Sequence, residues 1–193
     1  MPDRFWASET NKTNTQLLLR DTQTPPHIDF VFSSMIQNGE LLNARVGNQD
    51  IPELNNWIEE ADNKVVGHIK YAITVQKGTR IITLSNDTDT FIVLLSYMEE
   101  FSSMGLKELW IQYGTGDHRR MIPVHEANSV SGPALSKAIM KSYIITGNDY
   151  LSKIGTKHAA LSCSPELFLA NFGDAEVLTE QDIFLAENYL VKV

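Results

Sequence analysis

Cysteine occurs once in the 193 residues, at Cys163. A lone thiol forms no intrachain disulfide and no multi-thiolate metal site, so a reducing compartment is expected and Cys163 reads as a small buried residue. Long apolar runs are also lacking. "FIVLL", one of the longest, falls far short of the ~20 residues that a membrane-spanning helix needs, and the opening "MPDRFWASET" has no stretch of the signal-peptide kind. The expectation is a soluble intracellular protein, nuclear or cytoplasmic, with no membrane partner. Positive charge is scarce. With 16 basic against 24 acidic residues the net charge is -8, which excludes broad attraction to nucleic acid or anionic membrane and requires any polyanion to be met by a local basic patch. None of the five histidines stands at metal-ligand spacing from another, against a site of the zinc-protease kind. Internal repeats and low-complexity tracts are absent.

What the chain does contain is an alternation of helical and strand patterns. "NKTNTQLLLRD" reads as a short helix, and the paired prolines of "TQTPPHID" read as a linker. "IDFVFSS" is a strand, followed by the polar stretch "QNGELLNARVGNQD". From Pro52 onward, Leu54, Trp57, Ile58, Ala61, Val65, Ile69 and Ala72 recur at three- and four-residue steps, predicting one long helix up to Gly78. "RIITLS" then has the β-branched density of a buried strand, "DTFIVLLSYMEEFSSM" is helical, and "ELWIQY" is a second buried strand. Helix, strand, helix, strand is the pattern of a parallel sheet wrapped by helices. "GTGDHRRMIPV" reads as a turn and short strand, and the chain from Gly132 onward is mostly helical.

Acidic residues cluster at three places: Glu59, Glu60 and Asp62 in the long helix, Asp87 and Asp89 after the strand, and Asp149 in "TGNDY". Magnesium and manganese take oxygen ligands, and two-metal nucleases hold ions roughly 4 Å apart with several carboxylates. Each cluster also has an ordinary use. Asp87 or Asp89 suits a helix N-cap, Glu59 and Asp62 a solvated helix face, and Asp149 a turn. Composition and spacing alone leave both uses open.

The ordered runs "EEADNKVVGHIKYA", "RIITLSNDTDTFIVLL" and "TGNDYLSKIGTKHAAL" resemble the PIN-like, flap-endonuclease-type nucleases, especially a divergent set associated with animal mobile elements. The motif likeness covers roughly residues 51 to 160, and "RFWAS", "ELWIQYGTG", "RRMIPVHE" and "LTEQDI" extend it loosely over most of the chain. The resemblance implies a three-layer α/β fold with a central, mostly parallel sheet flanked by helices and a helical C-terminal region. Residues 1–27 would be an N-terminal helix and linker, 28–160 the nuclease domain, and 161–193 a helical extension of it. It further implies a metal-dependent nuclease acting on DNA or RNA. Glu60, Asp62, Asp87, Asp89 and Asp149 would be the catalytic set, holding Mg2+ or Mn2+, with two ions expected. The chain departs from the family at Asp62, where a second glutamate is usual. The family's upstream strand aspartates are not evident either, Asp29 lying at the start of its strand.

For the substrate backbone, Lys153 and Lys157 flank Gly155 in "LSKIGTKHAA", and Arg119 with Arg120 forms a second basic cluster. Lys137 and Lys141 stand four apart and extend the basic track. A dehalogenase-type phosphatase motif, D-x-D-x-T, fails by register, because Phe91 occupies the threonine position. The remaining alternative is a nuclease-fold remnant that binds nucleic acid or a protein partner without cleaving. The sequence gives no oligomeric state.

Overall fold

A computed structural model describes residues 5, 7–20, 27–57, 61–146, 164–169, 172, 174 and 177–192, apart from the side chains of Glu9, Asp62 and Asn63. The chain divides into two compact units, Met1–Tyr71 and Ala72–Val193.

The first unit begins with helix α1 (Glu9–Arg20) and continues through five very short strands: β1 (Val31–Phe32), β2 (Met35–Gln37), β3 (Glu40–Leu42), β4 (Arg45–Val46) and β5 (Gln49–Asp50). The polar stretch after "IDFVFSS" is thus a pair of hairpins. Asn38 and Gly39 turn the first one with φ of 52° and 81°, the left-handed pair that matches the twist of β2 and β3. All pairings in this unit are antiparallel, with Met35 opposite Leu42 and Val31 opposite Val46. Ala44, Ile51 and Leu54 are buried beneath Val31, Val46 and Tyr71.

The single helix expected from Pro52 is not formed. Pro52–Leu54 is one 3-10 turn, Asn55 is extended at φ -74° and ψ 123°, and helix α2 (Ala61–Thr74) starts later. The cause is tertiary. The Asn55 carboxamide accepts from the Ala44 N–H at 2.7 Å and donates to Asn43 at 2.9 Å, while Ser34 Oγ accepts from the Asn56 N–H. Those bonds fix an extended backbone against the helical periodicity.

In the second unit β6 (Arg80–Leu84), α3 (Thr88–Ser103) and β7 (Glu108–Tyr113) form a β-α-β unit, and β6 pairs with β7 in parallel, Ile82 opposite Trp110. The chain then reverses through Gly114 and Gly116, at φ 83° and 57°. A Cβ at Gly114 would lie 2.5 Å from the His118 carbonyl oxygen, so this turn requires glycine. Strand β8 (Arg120–Pro123) consequently returns antiparallel to β7. Helices α4 (Val124–Ser131), α5 (Pro133–Ile145), α6 (Glu166–Leu169) and α7 (Glu180–Leu190) follow.

The α/β class stands, but the central, mostly parallel sheet of a PIN-like three-layer fold does not. Among the described residues the sheets are small and mostly antiparallel, and β6–β7 is the one parallel pair. Strand "IDFVFSS" pairs with β4 instead. Leu109 and Ile111 of β7 are buried, whereas Ile82 and Leu84 of β6 are 51% and 72% exposed. The strand expected to be buried is therefore covered on one face only. Helix α3 buries Val93, Leu94, Met98 and Phe101 and packs on α4 and α5. Tyr189 and Leu169 close a second cluster with Ala138. Among the described residues no helix is long and apolar enough to cross a membrane.

Candidate functional site

Strand β6 ends in a short knot of side-chain hydrogen bonds. Ser85 Oγ accepts from the Asp87 N–H at 3.0 Å and lies 2.8 Å from Thr90 Oγ1. Asp87, extended at φ -101° and ψ 133°, is the N-cap of α3, its Oδ1 accepting from the Asp89 N–H at 3.0 Å. Asp89 falls in the first turn, where the helix dipole favours negative charge, and its Oδ1 accepts from the Tyr143 hydroxyl of α5. Each carboxylate thus commits Oδ1. Among the described residues Oδ2 of each takes no hydrogen bond.

The neighbouring turn belongs to the same end of the sheet. Asn86 Oδ1 accepts from the Gly114 N–H at 2.7 Å, joining the end of β6 to the loop that carries Asp117, His118, Arg119 and Arg120. Both arginines are exposed. Two carboxylates and two guanidinium groups accordingly stand on adjacent segments of one sheet end.

The other expected site residues are distributed differently. Glu60, Asp149, Lys153, Gly155 and Lys157 lie outside the described residues, and Asp62 is described only as backbone in the first turn of α2. Lys137 and Lys141 both reach Asp174, at 3.9 and 2.8 Å, so part of that basic track is neutralised. Among the described residues no group of three or more His, Cys, Asp or Glu side chains is placed to hold a metal ion. Asp87 and Asp89 fit a hard dication in donor type, as two oxygen ligands of the five expected.

Two polar clusters had no signature in the sequence. In the second unit Arg80 makes a bidentate pair with Glu108 at 2.8 and 2.6 Å, and Trp110 Nε1 donates to the same carboxylate at 3.0 Å. These bonds lower the Glu108 pKa to about 2, the Arg80 hydrogen bonds being the largest cause. In the first unit Arg20, Lys64, His68 and Ser33 meet beside a cavity. Their separation in sequence, 20 to 68, conceals the contact. Tyr143 likewise carries no signal in the sequence and is recognisable only once α5 lies against α3. Compared with family models, curated proteins and solved structures, the chain matches none.

Proposed function

We propose that the chain is a divalent-metal-dependent nuclease that hydrolyses phosphodiester bonds of DNA or RNA, in a nuclear or cytoplasmic setting. The observation that carries this reading is the joint placement of Asp87, Asp89, Arg119 and Arg120 at one end of the second unit's sheet. The order of the acidic motifs, which resembles that of flap endonucleases, supports it independently of any central parallel sheet. Asp87 and Asp89 would hold Mg2+ or Mn2+ through their uncommitted oxygens; Glu60, Asp62 and Asp149 are proposed as ligands from the sequence resemblance alone. When bound, such an ion polarises the scissile phosphate and activates water. Tyr143 fixes the orientation of the Asp89 carboxylate. Arg119 and Arg120 position backbone phosphates by charge-assisted hydrogen bonds, and Lys153, Gly155 and Lys157 are proposed as further backbone contacts.

The test is cleavage of end-labelled flap, hairpin and single-stranded DNA and RNA with manganese. Asp89→Asn is the informative variant, since it removes a charge yet keeps an acceptor for Tyr143. Asp87→Ala also removes a helix cap, at a cost of about 0.5–2 kcal/mol, so its melting temperature is read alongside. Manganese-dependent cleavage that disappears in Asp89→Asn at unchanged melting temperature supports the reading. Absence of cleavage, with no manganese-dependent rise in stability, sinks it in favour of a non-cleaving binding module. The second reading has its own observation: both aspartates already serve the fold, one as cap and one as partner of Tyr143.

A further inference from the structure

Strand β6 lies at the edge of its sheet, in the order β6, β7, β8, and its peptide groups alternate in direction. The Glu108 N–H donates to the Thr79 carbonyl and the Ser85 N–H to the Gln112 carbonyl, so residues 79, 81, 83 and 85 turn their peptide groups toward β7. Those of Arg80, Ile82 and Leu84 point away from it, and among the described residues they take no backbone partner. The side chains of the same three residues stand on the face of the sheet opposite the buried Leu109 and Ile111.

An open edge of this kind is a template for a further strand unless something blocks it. Proline is absent from β6, its register with β7 runs without a bulge, and its one charge, on Arg80, is compensated by the bidentate pair with Glu108. Apposition of the strand with itself therefore meets no like-charge repulsion there. In the antiparallel register centred on Ile82, Ile82 faces its own copy and Arg80 faces Leu84 on either side, with all three peptide groups directed at the other strand. The Ile82 side chains meet across the axis, and the aliphatic stem of Arg80 covers Leu84. Lys77 and Asp87, both exposed, lie five residues before and after Ile82, so the antiparallel direction brings opposite charges together at each end. A parallel arrangement would set like charges at the same end.

We propose that a second copy of the chain adds to β6 in antiparallel fashion about a two-fold axis at Ile82, joining two three-stranded sheets into one continuous sheet. One five-residue edge is a small contact beside the ~20–30 residues per partner of a stable interface, so the dimer forms reversibly and at high protein concentration. The pairing needs no metal, and it goes beyond the proposed nuclease activity.

Sedimentation equilibrium of the full chain in EDTA, over about a hundredfold range of concentration up to ~1 mM, tests it independently of any metal at Asp87. An increasing share of dimer is expected, with slower amide exchange at Arg80, Ile82 and Leu84 but not at Ile81 and Thr83, whose N–H groups already bond β7. Ile82→Lys and Ile82→Glu should each stay monomeric, and an equimolar mixture of the two should dimerise, because the axis sets residue 82 against its own copy. Met121→Lys, on the same face but on β8, should dimerise like the unmodified chain. Ile82 and Met121 are exposed, and circular dichroism checks that each variant is folded; Leu84→Lys, which faces Arg80 of the other copy, replaces an Ile82 variant that is not. A chain that is monomeric throughout overturns the proposal and leaves the edge to a strand of another protein. A dimer that persists in folded Ile82→Lys, or one that is lost in Met121→Lys, places the contact elsewhere and overturns it too.

Discussion

The two units are stabilised by different chemistry. In Met1–Tyr71 the strands are two or three residues long, too short to be stable by pairing alone, and the connections between them are side-chain bonds to backbone. Arg20 reaches the carbonyls of Ser33 and Asn43, Arg45 reaches that of Arg20, and Ser34, fully buried, spans Leu54 and Asn56. In Ala72–Val193 the dominant feature is apolar packing: Leu94, Phe101, Leu109 and Val124 are all completely buried. Hydrogen bonds contribute a net of about 0.5–1.5 kcal/mol each and are lost one at a time. Apolar burial scales with area, at about 25 cal/mol per Å². The hairpin unit is therefore fixed by many small directional ties, and the helical unit by a few large side chains.

Truncating a large side chain should give the greatest effect. Phe101→Ala removes a ring with no solvent exposure from the centre of α3, and a loss of about 3–5 kcal/mol is expected in urea unfolding followed by far-UV circular dichroism. In the other unit, Asn55→Ala strips the acceptor from the Ala44 N–H, where Ala44 is fully buried. A loss of about 1–3 kcal/mol follows from the unsatisfied donor, with amide exchange speeding up in β4 and β5 before any change in α3. Equal losses for the two variants would contradict the contrast between the units.

The contrast also explains what the sequence discloses and what it hides. The β6–α3–β7 unit is legible because each element carries its own periodicity and a local stop, such as Gly105, whose φ is 110°. The hairpins were legible in principle from Asn38–Gly39, a strong short-range turn signal, although the stretch around it is polar. The break at Asn55 was not, since it depends on Asn43 and Ala44, which only the fold brings near. The direction of β8 was hidden for a similar reason: nothing local in "RRMIPV" distinguishes a parallel from an antiparallel neighbour. For the candidate site, Asp87 and Asp89 were marked by the junction they occupy. Tyr143, the partner of Asp89, and Gly114, the partner of the neighbouring Asn86, are 54 and 28 residues away from the groups they bond, beyond any local pattern.

The smallest effects, and the ones that separate the two units most cleanly, lie in the pH dependence. His68 belongs to the hairpin unit and has a folded pKa below its usual 6.5, through burial and Lys64. Its neutral form is the one the fold accommodates. Its contribution to stability is present above pH 6.5 and is lost as the pH falls from there through the lowered folded value. Glu108 belongs to the other unit, with its pKa lowered from 4.5 to about 2 by Arg80 and Trp110. That contribution is complete above pH 4.5 and disappears only between pH 4.5 and about 2. Because the Arg80–Glu108 pair is solvent-accessible, its effect is the weaker of the two. Mild acid should therefore loosen the hairpin unit first, seen as faster amide exchange in β1–β5 between pH 6.5 and 5 while β6 and β7 stay protected. His68→Gln should flatten that first decline, and Glu108→Gln should act only on the second. Hairpin protection that increases between pH 7 and 5 in the wild-type chain would show that His68 binds its proton more readily in the folded state, against the lowered pKa that burial and Lys64 impose.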